Sequence, residues 1–506
     1  MNITTTENSE LAFDGFSNKC LTLFSTINRD TNINELYHKF IEAWNENPQL
    51  CIKILLNFRD IREGKGEKKI SFIMLSIIKI QNFKVYEKII DNIIGVGCWK
   101  DLLQITEITP DISNKIEIKK FSDQLLIDKK SNNPSLCAKW APSEGSHYDN
   151  FSKKLCRIMK MNPKEYRKLL SLLRNKIKII ETNLSQQLYN NINFEHIPSK
   201  SHIIYKNAFE RNCNSKGIVN NSRDIMVDNY KNYLNSLNNK EKKVNIKGLM
   251  PHEIIKKLNN NNDNTLLENQ WNAIVEDTKK SKLFNNALCI VDVSGSMFSG
   301  KPMAVHVAVA LGLLISECCE GYFNNKIISF SEYPKLISIN KEDKLCNKYQ
   351  NLLGINWGFN TDINKVFELI LDSGKLHNIK KENMPDKLYI FTDMQFDEVI
   401  GKSNPFDKTF EHFKKLFNDN NYDLPNIICW NLRSVSAVPF ELNDQGVTIL
   451  SGFSTAILKS VLKENDFKNL TPMSIMKNTI EHYDIPDDLE YREIKYDLNI
   501  LKKIKI

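Results

Sequence analysis

The residues of this chain best suited to chemistry are a short run of hard oxygen donors, Asp292-Val293-Ser294-Gly295-Ser296. Magnesium needs near-octahedral oxygen coordination and keeps several waters, so one or two carboxylates plus hydroxyls suit it. Gly295 lets the turn bring both hydroxyls to one point. Serine turns of this kind also cap helices, so the run alone leaves the chemistry undecided. Two distant segments add to it. Gly358-Phe359-Asn360-Thr361-Asp362-Ile363 puts a threonine at a loop-to-helix junction, and Phe391-Thr392-Asp393 ends an apolar run on an aspartate. Asp292, Ser294, Ser296, Thr361 and Asp393 then form an all-oxygen set for Mg2+, or for another divalent cation such as Mn2+.

Such a set needs a sheet edge to converge on. Ala287-Leu288-Cys289-Ile290-Val291 is a continuous apolar run, as expected of a strand buried on both faces. A helix is predicted over 302–319, strands over 326–330, 387–392, 426–431 and 447–450, and helices over 363–371 and from 456 to 462. This alternation predicts an α/β domain, Rossmann-like and doubly wound, with a mostly parallel sheet over 286–465. Ligands of such sheets sit at the carboxyl ends of the strands, where Asp292 and Asp393 fall.

Upstream the rhythm is helical. Residues 1–30 are polar and rich in Thr and Asn, and read as a lead-in. Helical periodicity over 34–43, 50–58, 68–80 and 85–94 predicts an α helical-repeat, solenoid-like domain spanning 31–285, although no strict repeat is visible. Asn162-Pro163-Lys164-Glu165 opens a further helix with Tyr166, Leu169, Leu170, Leu173, Ile177 and Ile180 on its apolar stripe. Residues 466–506 read as a helical or extended tail.

Charge singles out one stretch of the helical half. The chain carries 69 Lys+Arg against 61 Asp+Glu, a net +8. Residues 151–250 hold 20 Lys+Arg against 7 Asp+Glu, whereas 1–150 and 251–506 are each close to neutral or mildly acidic. A local excess of +13 suits a polyanion, and equally a solvated helix face. Lys164, Arg167, Lys168 and Arg174 of the 162–180 helix are the candidate phosphate contacts. Tyr166, Tyr189, Phe194, Tyr205, Phe209, Tyr230 and Tyr233 offer rings for base stacking, or for a core.

Other chemistries fail on residue type. Serine at 294 denies the second carboxylate of an Asp-x-Asp phosphatase. Gly64-Lys65-Gly66 lacks the spacing of a phosphate loop, and Lys256 stands where a zinc protease needs its second histidine. His306 reads as a packed core residue, and no nucleophile–base pair emerges. Eleven scattered cysteines without metal spacing read as reduced thiols, and neither a secretory signal nor a membrane-spanning stretch is expected. The expected location is cytoplasmic, in a host cytoplasm or a virion if the source is viral.

The five oxygen donors resemble, in order and spacing, the metal-ion-dependent adhesion site of von Willebrand A domains. The resemblance implies direct ligation by Ser294, Ser296 and Thr361, with Asp292 and Asp393 ligating directly or through water. It also implies an open metal position filled by an acidic residue of a partner protein. Arg59-Asp60-Ile61-Arg62-Glu63-Gly64-Lys65-Gly66-Glu67 resembles a loop of Ro-type (TROVE) RNA-binding proteins, which implies single-stranded or structured RNA as a ligand. Ala138-Lys139-Trp140-Ala141-Pro142-Ser143, Tyr166-Arg167-Lys168-Leu169-Leu170, Ile197-Pro198-Ser199 and Leu249-Met250-Pro251-His252-Glu253 resemble an uncharacterised family of giant viruses, plants and fungi. Three readings follow: a non-enzymatic binding scaffold of Ro-like architecture, a protein–protein adaptor without RNA, and a Mg2+-dependent hydrolase. The first is the main expectation.

Overall fold

A computed structural model describes residues 3–5, 11–14, 16–213, 217–258, 264–282, 284–298, 303–329, 331, 333–354, 363–392, 405–432, 437–438, 447–452 and 471–505. The chain divides into two compact units that do not follow its order. One comprises Met1–Ile70 with Gly248–Asp484, the other Ser71–Lys247 with Ile485–Ile506.

The first unit is built on a six-stranded sheet. Its strands are β1 (Ala287–Val291), β2 (Lys326–Ser329), β3 (Leu336–Ser338), β4 (Lys387–Thr392), β5 (Asn426–Asn431) and β6 (Val447–Ser451), in the spatial order β3-β2-β1-β4-β5-β6. β1 pairs in parallel with both β2 and β4, and β4, β5 and β6 continue in parallel. Only the edge strand β3 runs antiparallel, to β2. The sheet is therefore mixed, parallel except at this edge, where a mostly parallel one was expected. Its edge strand escaped the sequence pattern because it is three residues long with no buried residue.

The apolar runs end up where their composition requires. Every residue of β1 and of β4 is buried, as befits central strands covered on both faces. The helix Ala304–Cys318 buries Val305, Val307, Ala308, Val309 and Leu311. Gly312 lets it approach β1: a Cβ there would lie 2.4 Å from Val291 Cγ2. Cys289 Sγ donates to Gly312 O at 3.4 Å across the same contact. This packing fixes the strand end from which Asp292 emerges.

Residues 16–70 belong to the same unit. Helix α1 (Lys19–Thr26) buries Cys20 through Thr26, α2 (Ile33–Glu46) buries Leu36, Tyr37, Phe40 and Trp44, and α3 (Pro48–Arg59) buries Cys51 through Arg59 except Lys53. Asn47 caps α3 by accepting from Leu50 N–H at 2.9 Å, with Pro48 at the first helical position, where a missing N–H costs nothing. Two short strands, Ile3–Thr5 and Leu11–Asp14, pair antiparallel, the second also with Ala437–Val438. The segment read from composition as a lead-in thus contributes a buried helix.

The second unit is a helical array. Phe83–Val96, Lys100–Ile108, Lys115–Lys130, Asp149–Ile158, Pro163–Ile177, Ser199–Phe209 and Asp224–Asn238 are its longer helices. A buried polar knot lies in this array: Lys79 Nζ, from the helix Lys68–Gln81, stands 2.6 Å from Glu117 Oε1 and donates at 3.2 Å to Oγ1 of Thr109, the residue that ends the helix Lys100–Ile108. All eleven cysteines are free thiols. Among the described residues no helix is long and apolar enough to cross a membrane.

Candidate metal centre

Asp292 follows β1 directly, and Thr392 is the last residue of β4, the strand beside it. In chain order the sheet reads 3-2-1-4-5-6, so the winding reverses between these two strands. Crevices at such switch points, beyond the carboxyl ends of the strands, are where open α/β sheets bind ligands.

The carboxylate of Asp292 is buried and held from two sides. Oδ1 accepts from Ser294 N–H at 2.8 Å, and Oδ2 accepts from the Thr392 hydroxyl at 3.0 Å. The Asp292 N–H donates to Phe391 O at 2.9 Å, which extends the β1–β4 ladder to the site. Ser294 is half-buried, and a short 3-10 turn follows over Gly295–Phe298. Metal-ligating carboxylates are commonly oriented by outer hydrogen bonds of this type.

These donors fit a hard divalent cation, since they are oxygens on a fixed carboxylate and an adjacent hydroxyl. Magnesium held here would supply positive charge and an exchangeable coordination position. Ser296 lies in the 3-10 turn, but its side chain, Thr361 and Asp393 lie outside the described residues. Among the described residues no group of three or more His, Cys, Asp or Glu side chains is placed to hold a metal. Thr392 is the contributor that sequence reasoning missed. Its signal was present, for it immediately precedes Asp393 at the end of a buried run.

His306 is half-buried rather than a core residue. Its Nδ1 lies 2.6 Å from Tyr349 Oη, and burial, helped by Lys256, holds its pKa below the ordinary histidine range.

The Arg59–Glu67 loop has a structural role. Lys65 is fully buried, and its Nζ donates to Phe24 O and, at 2.5 Å, to Ser451 Oγ at the end of β6. Its ammonium also faces the Phe24 and Phe58 rings at 4.5 and 4.6 Å. Burial pushes Lys65 down to about 7, against the opposing pull of Glu67. Glu67 is itself engaged by Arg29 at 3.0–3.2 Å. Gly64 is required because a Cβ would lie 2.1 Å from Asn57 O. The Gly-Lys-Gly signature is thereby spent on packing α1, α3 and β6 together, leaving the lysine no route to a phosphate.

The candidate phosphate contacts divide. Lys164, Arg167 and Lys168 are exposed on the helix Pro163–Ile177, with Arg167 paired to Glu144. Arg174 is committed to protein: its guanidinium donates to Ala138 O at 2.9 Å, Ala141 O at 2.7 Å and Ser143 Oγ at 3.0 Å. Of the two uses open to the aromatic rings, stacking or core, the structure shows core for most. Tyr166, Tyr189, Phe194, Phe209, Tyr230 and Tyr233 are all buried, and Phe194 meets Phe209, Tyr230 and Tyr233 at 5.0–5.8 Å as part of a core. Only Tyr205 of that set is half-buried, with its hydroxyl 3.4 Å from Glu181 Oε1.

Two family models match the chain and divide it near residue 285, not along the boundaries of the two compact units. The domain of unknown function DUF2828 matches residues 6–130 and 157–283. The domain of unknown function DUF7788 matches residues 286–500. An uncharacterised protein of Acanthamoeba polyphaga mimivirus is 37% identical over 511 residues, covering 95% of this chain and 88% of its own length.

Proposed function

The chain belongs to the family of that mimivirus protein, and from this premise we propose that it is a non-enzymatic binding protein with a metal-ion-dependent adhesion site. The sheet-bearing unit acts as a von Willebrand A-like module. Asp292, Ser294, Ser296, Thr361 and Asp393 hold Mg2+, and a carboxylate of a partner protein completes the coordination. The observation that carries the reading is the buried Asp292 carboxylate at the strand-order reversal, oriented by Ser294 and Thr392. RNA is a second ligand, contacted through the exposed Lys164, Arg167 and Lys168 by charge rather than by stacking. The protein works in the cytoplasm.

Thermal unfolding with and without Mg2+ tests the metal reading. A ligand that binds only the native state stabilises it by about 2.7 kcal/mol at a hundredfold excess over Kd. The full chain is expected to melt higher in 10 mM MgCl2 than in EDTA, and Ser294→Ala to lose most of that gain. Equal melting in Mg2+ and EDTA would count against the site.

A further inference from the structure

The helical unit holds a cleft of about 480 Å³ that none of the roles above uses. Its volume falls within the range of small-molecule sites, roughly 300–1,000 Å³. It lies where residues 110–114 lead into the helix Lys115–Lys130, against the helix Asp149–Ile158. The two walls are fixed to one another. Phe121 and Phe151, both buried, join the two helices edge to face with ring centroids 5.5 Å apart. Nearer the cleft, Lys154 Nζ donates to Asn114 Oδ1 at 3.1 Å.

The lining is cationic. Lys115, Lys154 and Arg157 bring three positive charges to it, against the single carboxylate of Asp111. Among the described residues no carboxylate lies within ion-pair distance of any of these three cations. Other cations of the same two helices are neutralised, Lys120 by Asp91 and Lys153 by Asp149, each at 2.6 Å. Charges gathered around a cleft without partners raise the local concentration of anions. Ser113 adds a hydroxyl. Asn114 gives the first turn of the helix Lys115–Lys130 no side-chain cap, so the helix dipole adds to the same attraction.

The remainder of the lining is apolar: Ile112, the buried Ile118, and Ile158, which is 47% exposed. Apolar walls with a few convergent polar groups are the usual make-up of a ligand site. A phosphomonoester suits three cations better than a carboxylate does. It carries about −1.5 to −2 charges near pH 7 and three strong acceptor oxygens. Arg157 offers a planar fork to such oxygens, and the two lysines act as point charges.

We propose that this cleft binds a phosphomonoester that carries a compact apolar or ring group. The phosphate sits among Lys115, Lys154 and Arg157, and the apolar part lies against Ile112 and Ile158. The site uses neither the metal donors nor Lys164 and Lys168.

AMP and adenosine are titrated by calorimetry into the full chain at low salt. AMP is expected to saturate one site and to bind at least about tenfold tighter than adenosine, the worth of one charge-assisted hydrogen bond. A 5′-phosphorylated oligoadenylate tells the two sources of such a group apart: binding tighter than AMP assigns the end of a strand, and weaker binding a free nucleotide. Lys154→Gln with Arg157→Gln should lower AMP affinity roughly tenfold or more with urea unfolding unchanged. Lys115→Gln, on the opposite wall, should weaken it in the same direction. Lys129→Gln with Lys130→Gln removes equal charge at the far end of the helix Lys115–Lys130 and should leave AMP binding intact. Equal loss in the two double variants would reduce the effect to net charge and overturn the site. Absence of saturable AMP binding, or equal binding of AMP and adenosine, would overturn it as well.

Discussion

The Thr392 hydroxyl donates to Asp292 Oδ2 at 3.0 Å, joining the ends of the two central strands across the candidate metal centre. Both residues are buried, so the bond is sheltered from competing water. Thr392→Val keeps the shape and removes the donor. It is expected to weaken Mg2+ binding by roughly 10- to 100-fold, the usual effect of losing an outer hydrogen bond to a ligand. Thr392→Ser should restore most of the affinity. Equal loss in Val and Ser variants would point to packing instead.

Lys65 makes stability depend on pH. An unfolded lysine titrates near 10.4, whereas burial sets this one to about 7 in the fold. Between those values the unfolded chain holds more protons, so stability rises with pH from 7 to 10 and this contribution is flat below 7. The rise due to Lys65 is on the order of a few kcal/mol. Urea unfolding of wild type and Lys65→Met at pH 7 and pH 9.5 should show a smaller gain in the variant. An identical gain would mean that Lys65 is charged throughout.

Elements with strong local signals were legible in the sequence. The buried runs of β1 and β4, the Asn-Pro starts of α3 and of the 163–177 helix, and the position of Asp292 at a strand end all follow from local composition. What escaped depends on distant partners. Nothing local to Lys65 shows that Phe24 and Ser451 enclose it, or that residues 16–70 pack with the sheet. Arg174 looked like a phosphate ligand because periodicity reports the face of a helix, not which carbonyls lie opposite. The aromatic residues of 166–233 were ambiguous for the same reason. Thr361 and Asp393 lie outside the described residues, so their part in the site rests on motif order alone.

The basic helix gives a separable prediction. Lys164→Glu with Lys168→Glu should lower the salt dependence of RNA binding by roughly one unit of slope per phosphate contact removed, with unfolding unchanged. Arg174→Met should instead destabilise the fold by about 1–3 kcal/mol, since it leaves the carbonyls of Ala138 and Ala141 without their donors. Filter binding across a salt series, with urea unfolding of the same variants, distinguishes the two roles. A flat salt dependence for wild type would remove RNA from the account.

The most direct test of the central claim is a calorimetric titration of Mn2+ into the full chain stripped of metal, beside Asp292→Asn and Ser294→Ala. Mn2+ takes the same oxygen donors as Mg2+ and is bound more tightly by carboxylate sites. One site per chain is expected in the wild type, with a marked loss of affinity in both variants and competition by Mg2+. Absence of saturable binding in the wild type, or equal binding in all three proteins, would contradict the claim.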